Sequence, residues 1–246
     1  KIAPALAAGC TIVSRPASQT PLCLIQVFEC LAEAGLPPGV ANLVMGPAQE
    51  MADEFLENPV CRKISFTGST EVGKQLMRGA ADQMKRLSLE LGGHAPFIVF
   101  PDADPEVGAR IAVTGKFRNN GQVCIAPSRF FVHKDVEKKF TEAAVAFARG
   151  LKLGNGLDAG VEVGPMFEKK ALQSTVDLVE DARRHGARVL TGGKRSDRFD
   201  RGYFFEPTVL ANLAPNARIM TEEPFAPVMP LLDFSKLDDV IQAANN

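Results

Sequence analysis

The sequence has no long hydrophobic run. Its longest apolar stretches, Pro96 to Phe100 and Val228 to Leu232, are strand-sized and fall far short of the roughly 20 residues a helix needs to cross a bilayer. A membrane-spanning protein is therefore not expected. Nor does charge of one sign dominate: 28 Lys plus Arg stand against 29 Asp plus Glu, for a formal net charge of -1. That balance provides no field to attract nucleic acid or an acidic membrane. Histidine is scarce, with His94, His133 and His185 far apart and without metal-ligand spacing, so no metal site is expected. The five cysteines, Cys10, Cys23, Cys30, Cys61 and Cys124, are odd in number and include no C-x-x-C. That pattern fits reduced thiols in a cytoplasmic compartment better than a disulfide framework. The chain opens on Lys1 with no signal-peptide character, already inside a helical pattern, and closes on another helical pattern at Asp238 to Asn246; both ends read as cuts.

What is present is an ordinary globular composition: 246 residues, 46% hydrophobic and 23% charged, enough to bury a sizeable core. Short strand-like runs alternate with amphipathic helical stretches, which predicts an α/β fold with parallel strands and crossover helices. In the first part the strands are expected at Thr11 to Val13, Ala41 to Met45, Lys63 to Phe66 and Leu87 to Leu91, with helices at Pro21 to Glu33, Ala48 to Leu56 and Thr70 to Ala80. Three such βα units suggest a nucleotide-binding half-sheet, and Gly92-Gly93 marks a handover to a second domain. Beyond it a strand at Pro96 to Phe100 is expected, with helices at Pro105 to Phe117, Val136 to Phe147 and Lys170 to His185. Further strands are expected at Ala187 to Thr191, around Tyr203 to Phe205 and at Thr208 to Leu210.

Four segments could carry chemistry. Phe66 to Gly73 sits where a strand becomes a helix, and its small residues suit the approach of a phosphate to the positive helix end. Its spacing is G-x-T-x-x-G, without the middle glycine of a dinucleotide-binding turn, so a plain strand-to-helix turn stands beside that reading. Arg15, after the first strand, is either an anion or ribose contact or a solvated arginine ahead of a proline-started helix. Glu90 lies between Leu89 and Leu91, where strand alternation predicts partial burial; it is a general base or a member of a structural ion pair. Cys124 follows Asn119-Asn120-Gly121 in a loop that displays the thiol, while the other four cysteines read as small buried hydrophobes. No histidine is a compelling partner for Cys124: His94 is beside the hinge, where it could bond backbone, and His133 and His185 read as solvated.

Taken together, the motifs resemble those of the aldehyde dehydrogenase superfamily. They are L-E-L-G-G at Leu89 to Gly93, G-Q-x-C at Gly121 to Cys124, F-T-G-S-T-x-x-G at Phe66 to Gly73 and E-E-x-F-x-P-V at Glu222 to Val228. The resemblance implies a Rossmann-like, parallel-sheet cofactor-binding part followed by an α/β catalytic domain. Residues 1–91 would be the C-terminal part of the NAD(P)-binding domain and residues 92–246 the catalytic domain. It implies Cys124 as nucleophile and Glu90 as the base that activates the hydrolytic water. It also implies cofactor contacts at Arg15, Ser18, Gly68, Ser69 and Gly73, with Glu223 and Phe225 near the nicotinamide end. Ser18 stands where many NAD-preferring members carry glutamate, and a serine beside Arg15 does not repel a 2′-phosphate; NADP is expected to be accepted as well as NAD. The segments around Asn58 to Thr70, Gly93 to Phe100 and Lys116 to Asn119 are most similar to those of succinate-semialdehyde dehydrogenases and related ω-carboxy semialdehyde enzymes. In that group an arginine matching Arg118 binds the distal carboxylate, the bland alternative being a helix-terminal arginine bound to backbone carbonyls. A CoA-acylating relative and an inactive nucleotide-binding fragment are the rival readings. By the same resemblance the full-length protein is expected to be a homo-oligomer, dimer or tetramer, acting on a small aldehyde.

Overall fold

A computed structural model describes residues 1–245, so the end of the expected C-terminal pattern, Asn246, lies outside the described residues. The chain divides into two compact units, Lys1–Gly92 and Gly93–Asn246.

The first unit runs α1 (Ile2–Ala7), β1 (Ile12–Ser14), α2 (Leu22–Glu33), β2 (Ala41–Leu43), α3 (Ala48–Glu57), β3 (Lys63–Thr67), α4 (Thr70–Ala80) and β4 (Arg86–Glu90). The strands pair in parallel, as successive βα units require. They form two ladders instead of one half-sheet: β1 pairs with β2, and β3 with β4 in the register Thr67 opposite Glu90. Close contact between α4 and the end of β4 depends on Gly73, where a Cβ would lie 2.6 Å from the Leu91 side chain. Cys10, Cys23 and Cys30 are exposed and Cys61 is partly buried. The expectation of buried thiols is therefore corrected: α2 carries Cys23 and Cys30 but buries none of its residues.

The second unit holds β5 (Pro96–Val99), α5 (Pro105–Phe117), β6 (Arg129–His133), α6 (Lys134–Gly150), α7 (Lys169–Arg184), β7 (Arg188–Thr191), β8 (Thr208–Ala211), β9 (Val228–Phe234) and α8 (Leu237–Ala244). Its five-stranded sheet has the order β5-β6-β9-β8-β7, parallel except for the antiparallel edge strand β7. Phe130, Val209, Met229 and Leu231 from the sheet pack with Ala112, Val113 and Phe117 of α5 and Phe140 and Ala144 of α6. Burying such aromatic and branched side chains contributes roughly 1.5–3 kcal/mol each. Helix α5 starts cleanly because the Asp104 carboxylate accepts from the Glu106 and Val107 N–H groups at 2.9 and 3.1 Å, with Pro105 in the first turn.

Besides β9, which the sequence marks only as a strand-sized apolar run, two elements depart from the sequence reading. Strand β6 was not expected, because Arg129 to Val132 are all buried; an inner strand covered on both faces has no alternation to reveal it. Around Tyr203 to Phe205 no ladder forms, only an isolated bridge between Arg195 and Phe205. The backbone there is satisfied piecemeal, Tyr203 O accepting from Met166 N at 2.9 Å and Phe204 O from Ser196 N at 3.0 Å, while Phe204 and Phe205 are buried.

Candidate active site

The cysteine loop is built on left-handed backbone. After α5 the chain passes through Asn119 (φ 48°), Asn120 (φ 63°) and Gly121 (φ 69°) in succession. Asparagine and glycine are the residues that tolerate this region, and each non-glycine residue there stores strain of order 1–3 kcal/mol. The surroundings hold the loop in place. Asn120 Nδ2 donates to Gly164 O at 2.8 Å, Asn119 Nδ2 to Gln122 O at 3.1 Å, and Phe167 N–H to Gln122 Oε1 at 3.3 Å. The Asn120 Oδ1 atom is buried without a hydrogen-bond partner. Beyond this turn Cys124 is exposed with a free thiol. Arg118, at the start of the loop, is also exposed. Its backbone N–H donates to Thr114 O, but its side chain makes no hydrogen bond or ion pair among the described residues, so the alternative of a guanidinium bound to backbone carbonyls finds no support.

The segment Glu222 to Val228 backs this loop. Gly121 presses on Ala226: a Cβ there would fall 2.7 Å from the Ala226 carbonyl carbon and closer still to its oxygen. Lys116, 1% exposed, donates from Nζ to Pro224 O at 3.0 Å. Glu223 is partly buried and its Oε2 accepts from Gly93 N–H at 3.3 Å. Burial raises the Glu223 carboxyl above the usual carboxylate range, with the Gly93 N–H and the Lys116 charge pulling the other way. Burial also pushes Lys116 down to about 7 against the attraction of Glu223. Phe225 stands out at 41% exposed between buried Pro224 and Ala226. Lys116 had no signal in the sequence, since a lysine in an amphipathic helix ordinarily faces water; Asn119-Asn120-Gly121 did carry one, as a run of left-handed formers.

In the first unit, Gly68 and Glu90 meet through backbone, Gly68 N–H donating to Glu90 O at 3.0 Å. Ser69 caps α4, its Oγ accepting from Val72 N–H at 3.4 Å. The Thr70 and Glu71 N–H groups lie in the first helical turn, where no intrahelical acceptor exists. Arg15 is held at two points, Nε donating to Gly46 O at 3.3 Å and Nη2 to Ser18 Oγ at 2.7 Å. Glu90 corrects the sequence reading, because its side chain is exposed and not partly buried. The alternation in β4 puts Leu87 and Leu89 on one face and Arg86, Ser88 and Glu90 on the other. The flanking leucines therefore do not cover it.

His133 and His185 also differ from expectation. His133 caps α6, Nδ1 accepting from Asp135 N–H at 3.3 Å, with Nε2 3.2 Å from Ser235 O. His185 Nδ1 lies 2.8 Å from Asp181 O. Both are structural instead of solvated, because each ring finds a partner at a helix end. His94 Nε2 is buried without a partner. Burial first, then the Arg129 and Lys116 charges, push the ring down to about 4, against a backbone contact at Met220. Among the described residues no group of three or more His, Cys, Asp or Glu side chains could hold a metal ion, and no helix is long and apolar enough to cross a membrane.

The parallel α/β chain carries a strand-to-helix glycine turn in its first unit and displays the Cys124 thiol on a left-handed loop in its second. Comparison with known proteins gives the family. Residues 1–246 match the aldehyde dehydrogenase family over their whole length, and the chain belongs to that family. It is 46% identical over 246 residues to the succinate-semialdehyde dehydrogenase [NADP(+)] of Escherichia coli K12, covering 100% of this chain and 51% of that protein. It is 45% identical over 246 residues to the glutarate-semialdehyde dehydrogenase of Pseudomonas putida KT2440, covering 100% and 50%. The crystal structure of an E. coli NADP-dependent enzyme superposes with a TM-score of 0.97 at 46% identity, over 100% of this chain and 51% of that one. The chain spans about half the length of the curated relatives it matches.

Proposed function

We propose that the protein to which this chain belongs oxidises an aldehyde bearing a distal carboxylate, of the succinate- or glutarate-semialdehyde kind, to the acid with NAD or NADP. The observation that carries the substrate class is Arg118: an exposed guanidinium without a protein partner, on the loop that displays Cys124. A planar fork of donors suits a carboxylate held in two bonds. The relatives named for succinate and glutarate semialdehydes support the same class.

Cys124 Sγ, once a base has taken its proton, would add as the thiolate to the carbonyl carbon. The alkoxide of the resulting thiohemiacetal would be held in part by the Cys124 backbone N–H. Loss of hydride leaves a thioester on Cys124, and Glu90 takes the proton of the water that resolves it. The exposed setting of Glu90 in its own unit leaves its carboxylate open to water. The cofactor, when bound, supplies the hydride acceptor. The residues present fit it: the open N–H groups of Thr70 and Glu71 beside Gly68 and Ser69 suit a pyrophosphate, and Gly73 lets α4 sit close to the Leu91 side chain. Arg15 and Ser18 suit the adenosine ribose, and Glu223 and Phe225 the nicotinamide end. The same reading places the protein in the cytoplasm and makes the full-length chain a homo-oligomer, which sedimentation of the intact protein would test.

The test is reduced-nicotinamide absorbance from the full-length protein with succinic semialdehyde and with an unsubstituted alkanal, each with NAD+ and NADP+. Turnover selective for the semialdehyde, lost with Cys124→Ala and shifted to high KM with Arg118→Ala, is expected. Retained dehydrogenase activity in Cys124→Ala would sink the mechanism, and an absolute requirement for CoA would replace hydrolysis by acyl transfer.

A further inference from the structure

We propose that Lys116 is a positioning residue: by holding the Pro224 carbonyl it locks the tight turn that presents Phe225 and Glu223 to the cofactor. The inference rests on the reading of those two residues given above.

The geometry converges on one oxygen. Ala226 N–H donates to Pro224 O at 2.7 Å, closing a three-residue turn with Phe225 at its centre. Lys116 Nζ donates to the same oxygen at 3.0 Å. A carbonyl has two lone pairs, and both are now engaged, one by the turn itself and one by a side chain from α5. The next residue, Ala226, is in turn pressed against Gly121 of the cysteine loop. Glu223, the residue before Pro224, is tied through its carboxylate to Gly93 N–H. Phe225 is left as the exposed member of a segment fixed on both sides.

A purely structural role explains this poorly. Lys116 is 1% exposed, and placing an ammonium there costs stability that an apolar side chain of similar volume would not. Helix α5 already packs through Ala109, Ala112, Val113 and Phe117 and needs no further anchor. What an apolar side chain cannot do is hold the Pro224 oxygen. The charged or titratable groups that interact with Lys116 are Glu223, which attracts it, and His94, which it repels when protonated.

The experiment is a double-mutant cycle in the full-length protein, reading NAD+ and NADP+ dissociation constants by calorimetry without aldehyde. Lys116→Met should weaken cofactor binding about tenfold with its folded signature kept, and should add little in a Phe225→Ala background, since both act through one turn. Parental affinity in Lys116→Met, or effects of the two changes that add in full, would overturn the proposal. Parental affinity in Phe225→Ala would instead overturn the cofactor reading of that residue, and the proposal with it. Should Lys116→Met fail to fold, Lys116→Gln, whose amide is one bond too short to reach the carbonyl, takes its place in the cycle. Failure of both to fold would make Lys116 a structural anchor and overturn the positioning role.

Discussion

Gly121→Ala tests how much the cysteine loop depends on its backbone. The new Cβ would meet the Ala226 carbonyl carbon at 2.7 Å and Lys116 O at 3.1 Å. These are backbone atoms, so no flexible side chain can yield. Holding a non-glycine residue at φ 69° costs about 1–2 kcal/mol, and relieving the overlap about 1–3 kcal/mol more. The sum, roughly 2–5 kcal/mol, is a large part of the ~5–15 kcal/mol that keeps a domain folded. At roughly 2–4 °C per kcal/mol for a domain of 150–250 residues, the melting transition of the unit that holds the loop should fall by about 4–20 °C. The protein that remains folded should alkylate at Cys124 at an altered rate, because the loop must move to clear Ala226. Gly115→Ala is the control. It lies in α5, its Cβ would meet only Pro127 atoms at 3.7 Å, and it should be neutral or stabilise by up to ~1 kcal/mol through helix propensity. Differential scanning fluorimetry and iodoacetamide kinetics on the full-length variants make both measurements. Parental melting and parental alkylation in Gly121→Ala would refute the reasoning that the loop and Ala226 are locked together.

Two further predictions concern stability. His94 is held down to about 4 in the fold against about 6.5 in an unfolded chain, so between those values the unfolded state binds the extra proton. Its contribution is complete above pH 6.5 and lost as pH falls toward 4; denaturant titrations of the parent and His94→Leu should diverge over that window and run parallel above it. The Asp181 carboxylate, 8% exposed, accepts from Arg218 N–H at 2.8 Å and lies 3.7 Å from Arg184 and 3.5 Å from His185. Asp181→Ala leaves that amide unpaired and should cost about 1.5–3 kcal/mol in urea unfolding, whereas a loss within error would mean the contact is replaced by water.

Much of the fold was legible because it rests on local signals. Helix α5 could be read from Asp104-Pro105 at its start, a cap and a first-turn proline whose geometry is as expected. The turn into α4 could be read from small residues after an alternating strand. Strand β6 could not, because a strand between two others has no polar face to mark it. The display of the Cys124 thiol was legible in the left-handed formers Asn119-Asn120-Gly121 ahead of it, whereas side-chain environment was illegible where burial decides. Lys116 looks like any helix lysine until α5 is packed. Glu90 is exposed although its flanking leucines suggest cover, because the strand's period of two turns them to the opposite face.

On the proposed function, cofactor choice would rest on the pair Arg15 and Ser18. The 2.7 Å bond from Arg15 Nη2 to Ser18 Oγ and the 3.3 Å bond from Nε to Gly46 O fix the guanidinium, leaving further donors of its five free for a ligand. An arginine so placed can bond a 2′-phosphate, and the serine hydroxyl adds no charge to oppose it. Ser18→Glu changes both terms. A carboxylate at that position would pair with Arg15, competing for the donors a phosphate needs, and would repel the phosphate directly, while offering the 2′-hydroxyl of NAD an acceptor. Loss of one charge-assisted bond, about 1.5–3 kcal/mol, corresponds to roughly 10–100-fold, so the ratio of kcat/KM for NADP+ over NAD+ should drop by at least tenfold. Arg15→Ala should lower the same ratio by weakening NADP+ alone. A ratio unmoved by either change would mean that the 2′ position is bound elsewhere and that Arg15 serves only to tie its loop to Gly46.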